Sequence, residues 1–158
     1  MSIIIKDQAD IAAKRTACRL AAEVLDYITP YVQTGVTTNT LDKLCHDYMV
    51  DVQGTIPAPL NYAPEGHTPY PKSVCTSVNH QVCHGIPNDK PLKKGDIVNI
   101  DVTVIKDGWH GDNSRMYIVG GQEAGSIAAR RLCRVTHEAM WKGIVEVKPG
   151  ARLGDIGH

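Results

Sequence analysis

The stretch Ile97-Val-Asn-Ile-Asp101-Val-Thr103-Val-Ile105-Lys106-Asp107-Gly108-Trp109-His110-Gly-Asp112-Asn-Ser114-Arg-Met-Tyr-Ile-Val119 sets the frame for the rest of the chain. Two runs rich in strand-forming residues flank Asp107-Gly108, a dipeptide that accepts the positive φ angles of a tight hairpin turn. A two-residue loop there sets Lys106 against Trp109, Thr103 against Asp112 and Asp101 against Ser114. Directly opposed residues share a face and the strand period is two, so Asp101, Thr103 and Asp112 point the same way. Diagonal neighbours on such a ladder stand roughly 7–8 Å apart. Two carboxylates at that spacing converge on one cation. An unpaired carboxylate inside an apolar strand is costly to bury, and a metal ion relieves that cost. The alternative is the solvated side of a sheet, and a one-residue slip in register would put the aspartates on opposite faces.

At 158 residues the chain fits one domain with a real core. Hydrophobic content of 42% and charged content of 22% are those of an ordinary globular protein. The formal net charge is zero, which points to neither a nucleic-acid nor a membrane-surface partner. Met-Ser-Ile-Ile-Ile-Lys is too short and too soon charged for a signal peptide, and no stretch approaches the length of a membrane span. The five cysteines (Cys18, Cys45, Cys75, Cys83, Cys133) are odd in number and form no C-x-x-C pair. That argues for a reducing compartment, the cytoplasm, and against a disulfide framework or zinc knuckle.

Asp7 caps an expected first helix whose apolar side reads Ile11, Cys18, Ala21, Leu25 and Ile28, with Pro30 and Gly35 marking its end. Thr38 caps a second, with Leu41, Leu44, Cys45, Tyr48, Met49 and Val52 on one stripe and His46 off it, exposed. Residues 53–72 carry so many prolines and glycines that a long loop is expected. Ser73 to Val78 and Val82 to His84 read as a short hairpin turning near Asn79 and His80. A last helix spans Ser126 to Val147, with Ala128, Leu132, Val135 and Ala139 inward. A repeat runs through this order. Cys18-Arg19-Leu20-x-x-Glu23 returns as Cys133-Arg134-Val135-x-x-Glu138, an offset of 133 − 18 = 115 that also maps Val32 to Val147, Gly35 to Gly150 and Leu41 to Ile156.

Cys83-His84-Gly85-Ile86-Pro87 sets an imidazole at the end of an expected strand, where the glycine leaves room for a ligand. The imidazole is either structural or a hydrogen-bond donor to a substrate amide. His110 and Cys75 read as structural residues in their strands. No phosphate loop, serine elbow or H-E-x-x-H motif occurs.

Taken together, Tyr70-Pro-Lys-Ser-Val-Cys75, Val82-Cys-His-Gly-Ile-Pro87, Gly95-Asp-Ile-Val-Asn-Ile-Asp-Val-Thr103 and Asp107-Gly-Trp-His-Gly-Asp112 resemble the type I methionine aminopeptidases. The resemblance runs from the first helix to the end of the chain. It implies an α+β chain forming the first half of a pitta-bread fold, an antiparallel sheet with helices packed on one face. It also implies a dinuclear metallo-exopeptidase that removes the initiator methionine from newly made polypeptides. Two divalent ions (cobalt, manganese, iron or zinc) would polarise the first peptide carbonyl as Lewis acids. Carried over residue by residue, Asp101 would chelate one ion and Asp112 would bridge both. His84 would bind the scissile amide and support catalysis, and Thr103 would stand near the ion held by Asp101. Tyr70 and Cys75 would line the methionine pocket, and Asn79 and Gln81 would offer carbonyls to a monovalent cation.

Two departures from the family qualify this. The loop from Gly54 to Pro69 is longer than usual, so the second pocket tyrosine is either Tyr62 or replaced near His67. The family's remaining ligands, a histidine and two glutamates, belong to a second half that residues 1–158 do not supply, and His158 does not match that histidine. The chain is therefore expected to be a single truncated catalytic domain with weak or partial metal binding and no proper aminopeptidase activity. Apolar surface meant for the missing half would favour self-association. The rival readings are a non-catalytic peptide-binding module on the same scaffold, a prolidase or aminopeptidase P-like enzyme, and one structural calcium or magnesium on the aspartates.

Overall fold

The computed structural model describes residues 3–158; Met1 and Ser2, the first residues of the segment read as no signal peptide, lie outside the described residues. The hairpin forms at the expected turn. β3 (Ile97–Lys106) and β4 (Trp109–Ile118) run antiparallel around Asp107 at φ 49° and Gly108 at φ 83°, the left-handed pair that a two-residue turn requires. Lys106 pairs with Trp109, Thr103 with Asp112 and Asp101 with Ser114, with no slip. The other edge of β3 is shared by two short strands. β1 (Ile56–Pro57) pairs near its end through Ile56–Ile105, and β2 (Cys75–Val78) pairs near its start through Cys75–Asp101.

The period of two divides β3 into faces. Val98, Ile100, Val102 and Val104 are fully buried, whereas Asn99, Asp101, Thr103 and Ile105 are half-buried. The buried face is covered by α1 (Gln8–Ile28), which Asp7 caps in a reciprocal box with Asp10. The face α1 uses is Ala17, Leu20, Ala21, Val24, Leu25 and Ile28, so the stripe expected through Ile11 and Cys18 is corrected: Ile11 is exposed and Cys18 half-buried. The reason is a close backbone approach. A Cβ on Gly111 would stand 2.0 Å from the Ala17 carbonyl oxygen, so glycine on β4 and alanine on α1 let strand and helix meet.

α2 (Thr38–Asp47) packs against α1 and is capped by Thr37, one residue before the expected Thr38. It runs on as a single π turn over Tyr48–Val52, where Tyr48 stacks on Tyr27 of α1 at 4.2 Å. His46 is not simply exposed: it is half-buried, with Nδ1 2.8 Å from Ser73 Oγ. Val82 to His84 do not form the expected return strand. β2 spends its edge on β3, and the segment after the Asn79–His80 turn crosses back as a loop bonded to β2 by Thr76 N–H to the Gly85 carbonyl at 2.7 Å.

α3 (Ile127–Val145), capped by Ser126, and the short α4 (Leu153–Gly157) complete the chain described. The repeat is visible in their hydrogen bonds. Val32 N–H to Thr29 O returns as Val147 N–H to Ile144 O, and Val36 N–H to Gln33 O returns as Ala151 N–H to Lys148 O. Gly35 and Gly150 share φ 89°, and the Arg19–Glu23 ion pair returns as Arg134–Glu138. The expected inward face of α3 is corrected. No α3 residue is buried, and Leu132 and Val135 are 56% and 45% exposed, because among the described residues no sheet lies against that face.

Candidate metal centre and peptide pocket

The uncovered face of the sheet gathers the polar residues that the pattern singled out. Asp101 and Thr103 point to it from β3, and Asp112, directly opposite Thr103, points to it from β4. Cys75 joins them from β2, directly opposite Asp101 and almost wholly buried. Burial raises the Asp101 carboxyl above its ordinary range, and the negative charge and hydrogen bonding of Asp112 add to this. The positive charge of His84 and the Val102 amide work the other way. Asp101, half-buried, thus lies on the diagonal from the exposed Asp112, and like charge between them is already unfavourable.

His84 stands on the crossing loop in the left-handed region, at φ 54°, exposed, and close enough for its charge to act on Asp101. Gly85 after it packs against β2; a Cβ there would lie 2.3 Å from the Thr76 carbonyl oxygen. Tyr70 is half-buried, and its hydroxyl donates to the carbonyls of Val74 at 3.1 Å and Gly85 at 3.2 Å. Burial, first, raises the Tyr70 phenol and also the Cys75 thiol; contact with Cys75 raises the phenol further, while the same contact lowers the thiol. Cys75 is therefore a neutral, soft wall and not a nucleophile. Tyr62 is exposed on the long loop, which closes on itself through Asn61 N–H to Tyr70 O at 2.8 Å and Tyr70 N–H to Tyr62 O at 2.9 Å.

Asn79 and Gln81 sit at the turn after β2. Their side-chain oxygens accept from the amides of Ile97 and Val78, both at 3.1 Å, and Asn79 also donates to Asp96 at 2.9 Å. His110 is exposed on the same face, two residues before Asp112 on β4 and farther from Asp101. One anchor escapes sequence reading. Asp42 on α2, nearly buried, accepts from the amides of Ser73 at 2.8 Å and Val74 at 3.1 Å and so fixes the entry into β2.

The donor set fits a divalent ion as half a cage. Asp101 and Asp112 offer hard oxygens in a place where added positive charge relieves repulsion. Among the described residues, however, no group of three or more His, Cys, Asp or Glu side chains is placed to hold a metal. Two clefts of about 580 and 660 Å³ lie away from these carboxylates, beside Tyr117–Gly121 and between α3 and α4. Among the described residues, no helix is long and apolar enough to cross a membrane.

Comparison with known proteins agrees with this geometry. Residues 12–158 match the model of metallopeptidase family M24. The methionine aminopeptidase of Rickettsia prowazekii is 58% identical over 158 residues, covering 100% of this chain and 58% of the relative. Its crystal structure superposes with a TM-score of 0.91 over 99% of this chain and 59% of that one. The prolidase of Pyrococcus furiosus, 19% identical over 97% of this chain and 41% of its own, shares the fold with a TM-score of 0.79. The chain thus spans less than two thirds of these relatives, and its α+β architecture is that of pitta-bread proteins. With its hairpin, its paired aspartates and a family match over nearly its whole length, this chain belongs to metallopeptidase family M24.

Proposed function

We propose that this chain is the N-terminal part of a methionine aminopeptidase that acts in the cytoplasm on the initiator methionine of newly made polypeptides. The observation that carries the reading is the β3–β4 register, which sets Asp101 and Asp112 on one face beside Cys75, with Tyr70 and His84 close by. The name and 58% identity of the Rickettsia relative support it. Asp101 and Asp112 would hold divalent ions, cobalt, manganese, iron or zinc, with Thr103 close to the first. When bound, such ions supply Lewis-acid polarisation of a peptide carbonyl.

The chain's own residues do the rest. Half-buried Tyr70 and buried Cys75 present a soft wall that suits a thioether side chain. His84 brings an imidazole to the edge of the acidic face, where it hydrogen-bonds the scissile amide. The turn at Asn79 and Gln81 keeps oxygen lone pairs for a monovalent cation. Two carboxylates are too few for a catalytic pair of ions. We therefore take these 158 residues as one half of a two-fold site, which alone binds metal weakly and turns over little substrate. The exposed apolar side of α3 gives a second copy or a complementing segment a place to associate.

The test joins residues 1–158 to the remaining part of the Rickettsia relative and follows release of methionine from a Met-Ala peptide with added cobalt or manganese. The chimaera is expected to be active, to lose about 10³-fold or more with Asp101→Ala or Asp112→Ala, and to leave X-Pro dipeptides intact. A folded chimaera that is inactive on Met-Ala, or that prefers X-Pro, refutes the reading. Robust turnover by the isolated chain refutes its incompetence.

A further inference from the structure

We infer that Ser77 is a positioning residue for His84: its hydroxyl, with the Thr76 amide and the Tyr70 hydroxyl, clamps Gly85 to β2 and so aims the imidazole at the acidic face. The inference rests on the reading of His84 as the group that meets the scissile amide.

Ser77 is 4% exposed, and its Oγ accepts from the Gly85 amide at 3.1 Å. The Gly85 carbonyl accepts from Thr76 N–H at 2.7 Å and from Tyr70 Oη–H at 3.2 Å. Both polar groups of one residue are thus engaged, by three donors and acceptors from two elements. The missing side chain of Gly85 completes the clamp, because any Cβ would collide with the Thr76 carbonyl. The loop's other end is fixed by Gln81, whose amide and side-chain oxygen bond Val78 at 3.1 Å each. Between these anchors no strand ladder supports Val82 to His84.

His84 therefore owes its position to Gly85, the residue next to it. A non-glycine residue in the left-handed region costs roughly 1 kcal/mol and stays there only where its surroundings over-determine it. The clamp on Gly85 supplies that determination. It also links two functions: the Tyr70 hydroxyl ties the pocket wall to the loop that carries His84, so a change in one is felt by the other.

The test uses NMR of the isotope-labelled chain at one fixed pH, without peptide. In the parent chain, Asp101→Asn is expected to move the His84 ring signals, because the two side chains interact electrostatically. Ser77→Ala is expected to shift those signals, to at least halve their response to Asp101→Asn, and to speed exchange of the Gly85 amide about tenfold. Ser77→Thr, which keeps the hydroxyl, restores the parent pattern. Should Ser77→Ala fail to fold, Tyr70→Phe carries the same test by removing the other side-chain bond of the clamp. Unchanged His84 signals with an undiminished response in the folded variant overturn the inference, as does a parent chain with no response to Asp101→Asn. Because no peptide is turned over here, an inactive chimaera with these spectra as expected would overturn the aminopeptidase reading alone.

Discussion

Asp101 and Asp112 lie on the diagonal of the β3–β4 ladder, and burial together with the charge of Asp112 holds the Asp101 carboxyl above the usual carboxylate range. A carboxyl whose folded pKa is raised favours folding while protonated and opposes it once the pH passes that pKa. Near neutral pH, without metal, the pair therefore costs stability. Asp101→Asn is expected to raise the melting temperature of the metal-free chain, on the order of 2 °C, and to abolish any rise caused by added manganese. Differential scanning calorimetry with and without the ion reads both effects.

The meeting of Gly111 and Ala17 makes a stronger demand. A methyl group at position 111 would stand 2.0 Å from a backbone oxygen that no rotamer change can move. Gly111→Ala is expected to destabilise by about 2–4 kcal/mol, seen as a lower urea midpoint. Gly108→Ala, which meets open space but keeps φ 83°, is expected to cost about 1 kcal/mol.

Cys45, buried between α1 and α2, has its thiol pushed from 9.0 up to about 12 by desolvation, with the charge of Asp42 adding to it. The folded pKa is raised, so its contribution is complete below pH 9.0 and is lost as the pH climbs toward about 12. Urea unfolding should show the destabilisation caused by Cys45→Ala shrinking between pH 8 and about 10.5, on the order of 2 kcal/mol. In thiol labelling at pH 8, exposed Cys83 should react well before Cys45.

The sheet was legible because two rules agree on it: Asp107-Gly108 selects a two-residue turn, and the alternation from Val98 to Val104 fixes the face. The aspartate pair is a consequence of that register. The α1 face is not legible in the sequence because its closest approach uses Ala17 and Gly111, small residues that carry little hydrophobic signal. The return strand at Val82–His84 failed for a different reason, since β3 already occupies the edge of β2 and a sequence does not announce which strand wins a neighbour. Periodicity identified the apolar side of α3 but says nothing about what covers it. Asp42 and Ser77 were invisible because their partners lie far along the chain or across a turn.

That uncovered side makes its own prediction. Leu132 and Val135 on α3, 56% and 45% exposed, are expected to drive association that grows with concentration. Sedimentation velocity of Leu132→Lys/Val135→Lys should return a monomer at concentrations where the parent chain forms larger species. A parent chain that stays monomeric at about 0.5 mM would count against the surface.

The paired aspartates are tested most directly by cobalt titration of the 158-residue chain, monitored by its visible absorption and by calorimetry. Binding is expected with a Kd on the order of 0.1–1 mM, lost in Asp101→Asn and in Asp112→Asn alike. Cobalt bound with equal affinity by the parent and both folded variants would contradict the account, because the ion would then sit elsewhere.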